Sequence, residues 1–192
     1  MTQMNFLVKT YSSACILRPD VSLNRDGVCY YVPDDVHSLS VVPIAFIRLS
    51  KTGKAIGQSF ARRYYDAVGI GALLYPCTNP EGRVDVAAAS CFDQSSFFPQ
   101  PFFNPLTMEK ESNRFAVRME GAGEYEADCK GLLYKLEEAL VECSAHTLAR
   151  IGDFVAVELL GLDALVMEKK SGSGKLEIEF CEKKVLEIAI KF

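Results

Sequence analysis

Residues 51–71 read KTGKAIGQSFARRYYDAVGIG, a polar turn followed by a short helical run and a small apolar strand. Lys51-Thr52-Gly53-Lys54 is a short polar run around a glycine, which predicts a hairpin tip with solvated lysines. It lacks the glycine-rich GxxxxGK[ST] run that cradles a phosphate. Residues 57–66 predict a short helix, and Val68 to Leu74, small and apolar around Gly69 and Gly71, a strand. In the helix, Arg62 and Arg63 stand beside Tyr64 and Tyr65. Two cations next to two aromatics can bind an anion. On a short helix such a run more often packs its tyrosines and ion-pairs its arginines.

On either side the chain reads mostly as strands. Residues 3–9, 14–18, 28–32 and 40–49 are rich in β-branched and aromatic side chains. Asn24-Arg25-Asp26-Gly27 ends in the dipeptide that favours a tight turn, which predicts a hairpin over 14–32. Pro43 removes a ladder donor from the fourth run, which points to an edge strand or a bulge. Residues 76–111 concentrate proline with Ser, Asn and Gln and predict a long irregular segment. Residues 114–120 and 123–127 alternate and pair around Gly121-Ala122-Gly123. The clearest helix is 130–144, where Leu132, Leu133, Leu136, Ala139 and Leu140 recur at helical spacing. A last strand pair runs through 175–180 and 186–192, with its turn at Cys181–Lys184. The expected class is α+β, mainly β, in one domain over 1–192.

Composition narrows the function. With 49% apolar and 24% charged residues in 192, the chain can bury a sizeable core. A net charge of −4 argues against a nucleic-acid partner. No apolar run reaches about 18 residues, so no membrane-spanning helix is expected. The start, MTQMNFLVKTYSSA, lacks the basic and long apolar regions of a signal peptide. Seven scattered cysteines read as reduced, buried thiols of a cytoplasmic protein, with neither a disulfide frame nor zinc spacing.

The chemistry on offer is sparse. His37 follows Asp34-Asp35, and a carboxylate beside a histidine can set up a general base. The plainer reading is a solvated histidine at a strand start. His146 ends the main helix, where the helix dipole favours a cation. Cys91 has no local cation or helix N-terminus to lower its pKa and reads as a buried structural thiol. Glu124, Glu126 and Asp128 share one side of a strand and read as a solvated face.

In order along the chain, several segments resemble one family. They are Arg18-Pro19-Asp20, Val32-Pro33-Asp34-Asp35-Val36-His37, the 51–71 stretch ending in Tyr64-Tyr65-Asp66, Ser90-Cys91-Phe92-Asp93, and Thr147-Leu148-Ala149-Arg150-Ile151-Gly152-Asp153. Together they are similar to the fumarylacetoacetate hydrolase family, from about residue 13 to the end. The resemblance implies a mixed β-roll or barrel with one main helix, and commonly a homodimer. It also implies Mg²⁺- or Mn²⁺-dependent hydrolases, decarboxylases or isomerases of small oxo or enol acids. The family's metal is held by a Glu-x-Glu on one strand and an Asp on the next, since hard cations take oxygen ligands.

Here those positions carry no carboxylate. Counted from His37, the glutamates become Leu39 and Val41; counted back from Gly53, Val42 and Ile44. The aspartate falls at Gly71, and the family's substrate-contacting lysine reads Ser90. The family's Thr-Ala-Arg-Asp reads Leu73-Leu74-Tyr75-Pro76, and its late Thr-Gly-Thr-Pro reads roughly Val157-Glu158-Leu159-Leu160. The N-terminal segment bearing a catalytic histidine is largely missing. The expectation is therefore a degenerate, N-terminally shortened family member that holds no metal. It would serve as a binding or assembly subunit, as a homodimer or with an active relative, and possess a place for a small anion. The alternative is an enzyme using a remodelled pocket, with His37, Arg62 or Arg63 handling a small oxo acid.

Overall fold

The computed structural model describes residues 4–25, 27, 29–110 and 112–192. Its architecture follows from its two longest strands. β4 (Ser38–Leu49) and β5 (Tyr65–Cys77) pair antiparallel from Ser38 opposite Cys77 to Leu49 opposite Tyr65. All of β4 except Arg48 is buried, and all of β5 except Asp66. A strand buried on both sides lies between two cores, and its side chains alternate between them. Leu39, Val41, Ala45 and Ile47 enter a large core, while Val42, Ile44 and Phe46 enter a smaller aromatic one. This is why residues 40–49 are apolar throughout.

The first sheet runs in the order β2 (Cys15–Arg18), β1 (Phe6–Lys9), β9 (Phe154–Glu158), β4, β5, β6 (Ser96–Phe97). Beyond the end of β9, β10 (Val166–Glu168) takes over the same flank of β4. The second sheet has β3 (Tyr30–Tyr31), β12 (Lys183–Lys191), β11 (Ser173–Phe180), β7 (Arg114–Met119) and β8 (Gly123–Asp128). The main helix, α4 (Leu132–His146), buries Leu132, Leu136, Ala139, Leu140 and Cys143 against the first sheet. The large core joins this helix to both sheets. Helices α1 (Gln58–Ala61), α2 (Val86–Ala89) and α3 (Pro105–Met108) are single turns. The fold is mainly β, α+β, with a curled half-barrel sheet and one main helix.

Three expectations are corrected. The expected hairpin over 14–32 is not formed among the described residues: β2 pairs with β1, and β3 runs parallel to β12 in the other sheet. The real hairpin turn is 10–14. There the Thr10 N–H donates to the Ala14 carbonyl and the Thr10 hydroxyl accepts from the Ala14 N–H. It contains no glycine, so the sequence carried no strong turn signal. Asp26 of the expected turn lies outside the described residues. The 57–66 helix shrinks to α1, because Tyr65 and Asp66 already belong to β5. Pro43 sits in a central strand. The Val41 N–H and the Pro43 carbonyl both face the β9–β10 flank, bonding Leu165 and Leu159. Pro43 therefore presents its missing donor to the gap between those two strands, and no ladder bond is lost.

Other elements match in outline. Residues 76–111 are mostly irregular, 114–119 pairs with 123–128, and 173–180 pairs with 183–191. The tight turn at Cys181-Glu182 takes left-handed φ at both residues, 49° and 62°. No helix among the described residues is long and apolar enough to cross a membrane.

Candidate functional site

The residues singled out as catalytic candidates do not meet. His37 is exposed at one end of the β4–β5 ladder, where its N–H bonds the Cys77 carbonyl. Arg62 and Arg63 lie just beyond the other end. Arg62 stacks 4.7 Å from the Tyr65 ring centroid and donates to the Tyr65 carbonyl, and Arg63 stacks 5.3 Å from Phe60. Both arginines are exposed. A twelve-residue strand spans roughly 40 Å at 3.3 Å per residue, so no small substrate reaches both ends. Glu124 and Glu126 face solvent and pair with Arg118 and Arg114. Cys91 and Cys15 are exposed, against the expectation of buried thiols, and all seven cysteines are free.

The positions that the family resemblance assigns to metal ligands can be sorted by face. Gly71 is opposite Ile44, and a Cβ on it would meet Ile44 at 3.3 Å. Ile44 and Val42 both point into the aromatic core, whereas Leu39 and Val41 point into the large core on the other side of the sheet. Leu39 and Val41 therefore cannot share a cavity with Gly71; Val42 and Ile44 do. Around them lie Phe6, Phe46, Phe98 and Phe154, with ring centroids 4.7–5.8 Å apart. The Phe46 ring lies where a side chain on Gly69 would go, 2.2 Å from an added Cβ. The Phe97 carbonyl occupies the equivalent place over Gly71, also at 2.2 Å. Both glycines are required by close approach from that face.

One end of this core carries a buried polar cluster that sequence reading missed. Arg18 is fully buried. Its Nη2 donates to the Leu74 carbonyl at 2.9 Å and to Ser95 Oγ at 2.7 Å. The guanidinium lies 4.8 Å from the Tyr75 ring centroid. Tyr75 Oη donates to Glu158 Oε1 at 2.5 Å, and the Tyr11 N–H donates to Glu158 Oε2 at 2.8 Å. Ser90, at the former lysine position, is buried and donates to the Val86 carbonyl at 2.6 Å. Burial pushes the Tyr75 hydroxyl far up and lowers Arg18. Among the described residues, the buried side-chain atoms without a partner are Arg18 Nε and Nη1 and the Tyr30 hydroxyl, the last pushed by burial to about 12.

Burial also raises the Glu158 carboxyl, against the opposing hydrogen bonds from Tyr75 and Tyr11. The sign follows from linkage. A carboxyl whose folded pKa is raised contributes most below its ordinary value of 4.5, and that contribution is lost as pH rises through the folded value. Urea denaturation of wild type and Glu158→Gln is expected to show the wild-type advantage shrinking from pH 4 upward and then levelling. A difference that grows with pH would contradict a carboxyl destabilised by burial.

A cleft of about 710 Å³ opens beside the aromatic core, floored by Phe98, Phe102 and Phe154 and walled by Val185 and Leu186 of β12. Its cations, Arg25 and Arg48, are ion-paired with Asp20 at 2.6 Å and Asp66 at 3.0 Å. An anion entering it would compete with those carboxylates.

Neither protein-family models nor curated proteins match this chain. Solved structures do. A Yersinia pestis CO92 protein assigned to the fumarylacetoacetate hydrolase family superposes with a TM-score of 0.74 at 14% identity, covering 99% of this chain and 94% of its own. The fold is that of the fumarylacetoacetate hydrolase family. A 2-hydroxyhepta-2,4-diene-1,7-dioate isomerase from Mycobacterium marinum shares it, with a TM-score of 0.72, 15% identity and coverage of 99% and 74%. So does a maleylpyruvate hydrolase from Sphingobium sp. SYK-6, solved with manganese(II) and pyruvate, with a TM-score of 0.67, 14% identity and coverage of 97% and 69%.

On the face that carries Gly71, the residues present do not fit a divalent cation. The face that brings Gly71, Val42 and Ile44 together offers hydrocarbon and ring carbon, and the Phe97 carbonyl is already in the space a ligand at 71 would need. A lone carbonyl dipole does not balance a +2 charge. Among the described residues no three His, Cys, Asp or Glu side chains converge on a point where a metal could sit.

Proposed function

We propose that the chain is a degenerate member of the fumarylacetoacetate hydrolase family, inactive in the family's metal-dependent reactions and serving as a binding or assembly subunit. The observation carrying this reading is the Phe97 carbonyl packed onto Gly71. Such a contact fills the ligand position with backbone, which a metal site would have to keep open. Without a metal, an enolate formed by C–C cleavage loses Lewis-acid stabilisation worth several kcal/mol. Ser90 supplies no cation to replace it, since its hydroxyl is engaged with Val86. Turnover assays on acylpyruvates and oxaloacetate, with and without chelator, test the reading. No turnover above background in either condition is expected, and chelator-sensitive turnover would overturn it.

For partners we infer a homodimer or a pairing with an active relative. Support comes from exposed apolar side chains such as Leu106 and Ile151 and from β8, which ends its sheet as an edge strand. Light scattering at high micromolar concentration is expected to give twice the chain mass. A strict monomer would remove the homodimer. The second reading, an enzyme with a remodelled pocket, is favoured by the 710 Å³ cleft alone. Its cations would be Arg25 and Arg48, not His37, Arg62 or Arg63, none of which lines that cleft.

A further inference from the structure

Lys9 and Cys15 are directly opposite each other on β1 and β2, so both side chains leave the sheet on one face. That face is covered by the last turns of α4. Lys9 Nζ reaches Glu142 Oε1 at 2.7 Å, and Cys15 Sγ meets the Sγ of Cys143, the next helix residue, at 3.1 Å. The two thiols are 128 residues apart in sequence, yet each is fixed by a regular element. A disulfide of about 2.05 Å requires the sulfurs to approach by about 1 Å.

The pair is asymmetric in a way that suits stepwise oxidation. Cys15 is exposed to solvent with the Lys9 ammonium beside it, while Cys143 is buried and its thiol is held well above its ordinary pKa by that burial. Exposure selects which sulfur an oxidant meets first. The other hydrogen-bonded thiols point elsewhere: Cys29, Cys77 and Cys91 donate to backbone carbonyls, and Cys181 to Asn113.

We propose that Cys15 and Cys143 form a site of reversible thiol oxidation, closed to an intramolecular disulfide by a hydroperoxide. The Cys15 thiolate attacks one peroxide oxygen; an S–O bond forms, the O–O bond breaks, and hydroxide or alkoxide leaves with the electron pair. Cys15 is then a sulfenic acid. The Cys143 sulfur attacks that sulfur; the S–S bond forms, the S–O bond breaks, and the oxygen departs as water with the Cys143 proton. Two thiols and one hydrogen peroxide thus give one disulfide and two waters. The bridge ties the edge strand β2 to the main helix, and a dithiol reverses it by exchange.

The test treats the reduced, desalted 192-residue protein with hydrogen peroxide and maps its peptides by mass. The free-thiol count is expected to fall by two from seven. A peptide linking Cys15 to Cys143 is expected, lost again in dithiothreitol. Closure of so long a loop is expected to raise Tm by roughly 5–10 °C. In Cys143→Ser the linked peptide disappears and dimedone traps sulfenic acid on Cys15. In Cys15→Ser the linked peptide, the adduct and the Tm rise are all absent. Should Cys143→Ser fail to fold, the wild-type peptide map decides alone. Finding Cys15 and Cys143 both alkylatable after peroxide has consumed Cys91, the other exposed thiol, overturns the proposal. So does a bridge formed only between chains.

Discussion

Gly71→Asp, which places a carboxylate where the family resemblance puts a metal ligand, is expected to cost about 4 kcal/mol or more and to confer no metal binding. The backbone conformation at 71 is ordinary, so the loss comes from space and charge. A Cβ would stand 2.2 Å from the Phe97 carbonyl and 3.3 Å from Ile44. Phe97 cannot step aside cheaply, because Ala72 opposite Phe97 and Leu73 opposite Ser96 form the whole β5–β6 pairing. Beyond the clash, the carboxylate would enter a core of Val42, Ile44 and phenylalanines, and burying a charge there is strongly destabilising. Gly71→Ala isolates the steric part and is expected to lose roughly 2 kcal/mol. Equilibrium urea denaturation measures both. A Gly71→Asp chain as stable as wild type would show that the position is open after all.

Arg18→Ala is expected to destabilise by roughly 3–5 kcal/mol, the range for breaking a buried charged network from one side. The guanidinium is fully buried, fills volume over Tyr75, and satisfies the Leu74 carbonyl and Ser95. Its loss leaves a cavity, an unbonded carbonyl and the Tyr75–Glu158 pair without its nearby cation. Arg18→Lys keeps the charge but not the planar fork, and is expected to fall between the two. Urea midpoints of the three proteins check the order. A loss under about 1 kcal/mol for Arg18→Ala would mean that the cluster does not hold the second core together.

Local patterns were legible in the sequence. The 114–128 and 173–191 hairpins alternate, and helix α4 shows its stripe, because each depends on contacts within a few residues. The strand pairings that failed were nonlocal. The parallel pairings of β1 with β9 and β3 with β12 join segments far apart in sequence, and nothing near Cys15 or Tyr30 announces them. The absence of carboxylates from 36–65 and 67–80 was readable, but the register was not. It took the opposition of Gly71 and Ile44 to separate Val42 and Ile44 from Leu39 and Val41. Arg18, Tyr75 and Glu158 were read only as motif positions; their cluster was not legible because buried charges are uncommon and the three residues lie far apart in sequence.

Calorimetric titration of Mn²⁺ into the 192-residue protein tests the central claim most directly. A face of Gly71, Val42 and Ile44 under the Phe97 carbonyl predicts no saturable heat below millimolar Mn²⁺. A single saturable site per chain at micromolar Mn²⁺, abolished by chelator, would contradict it.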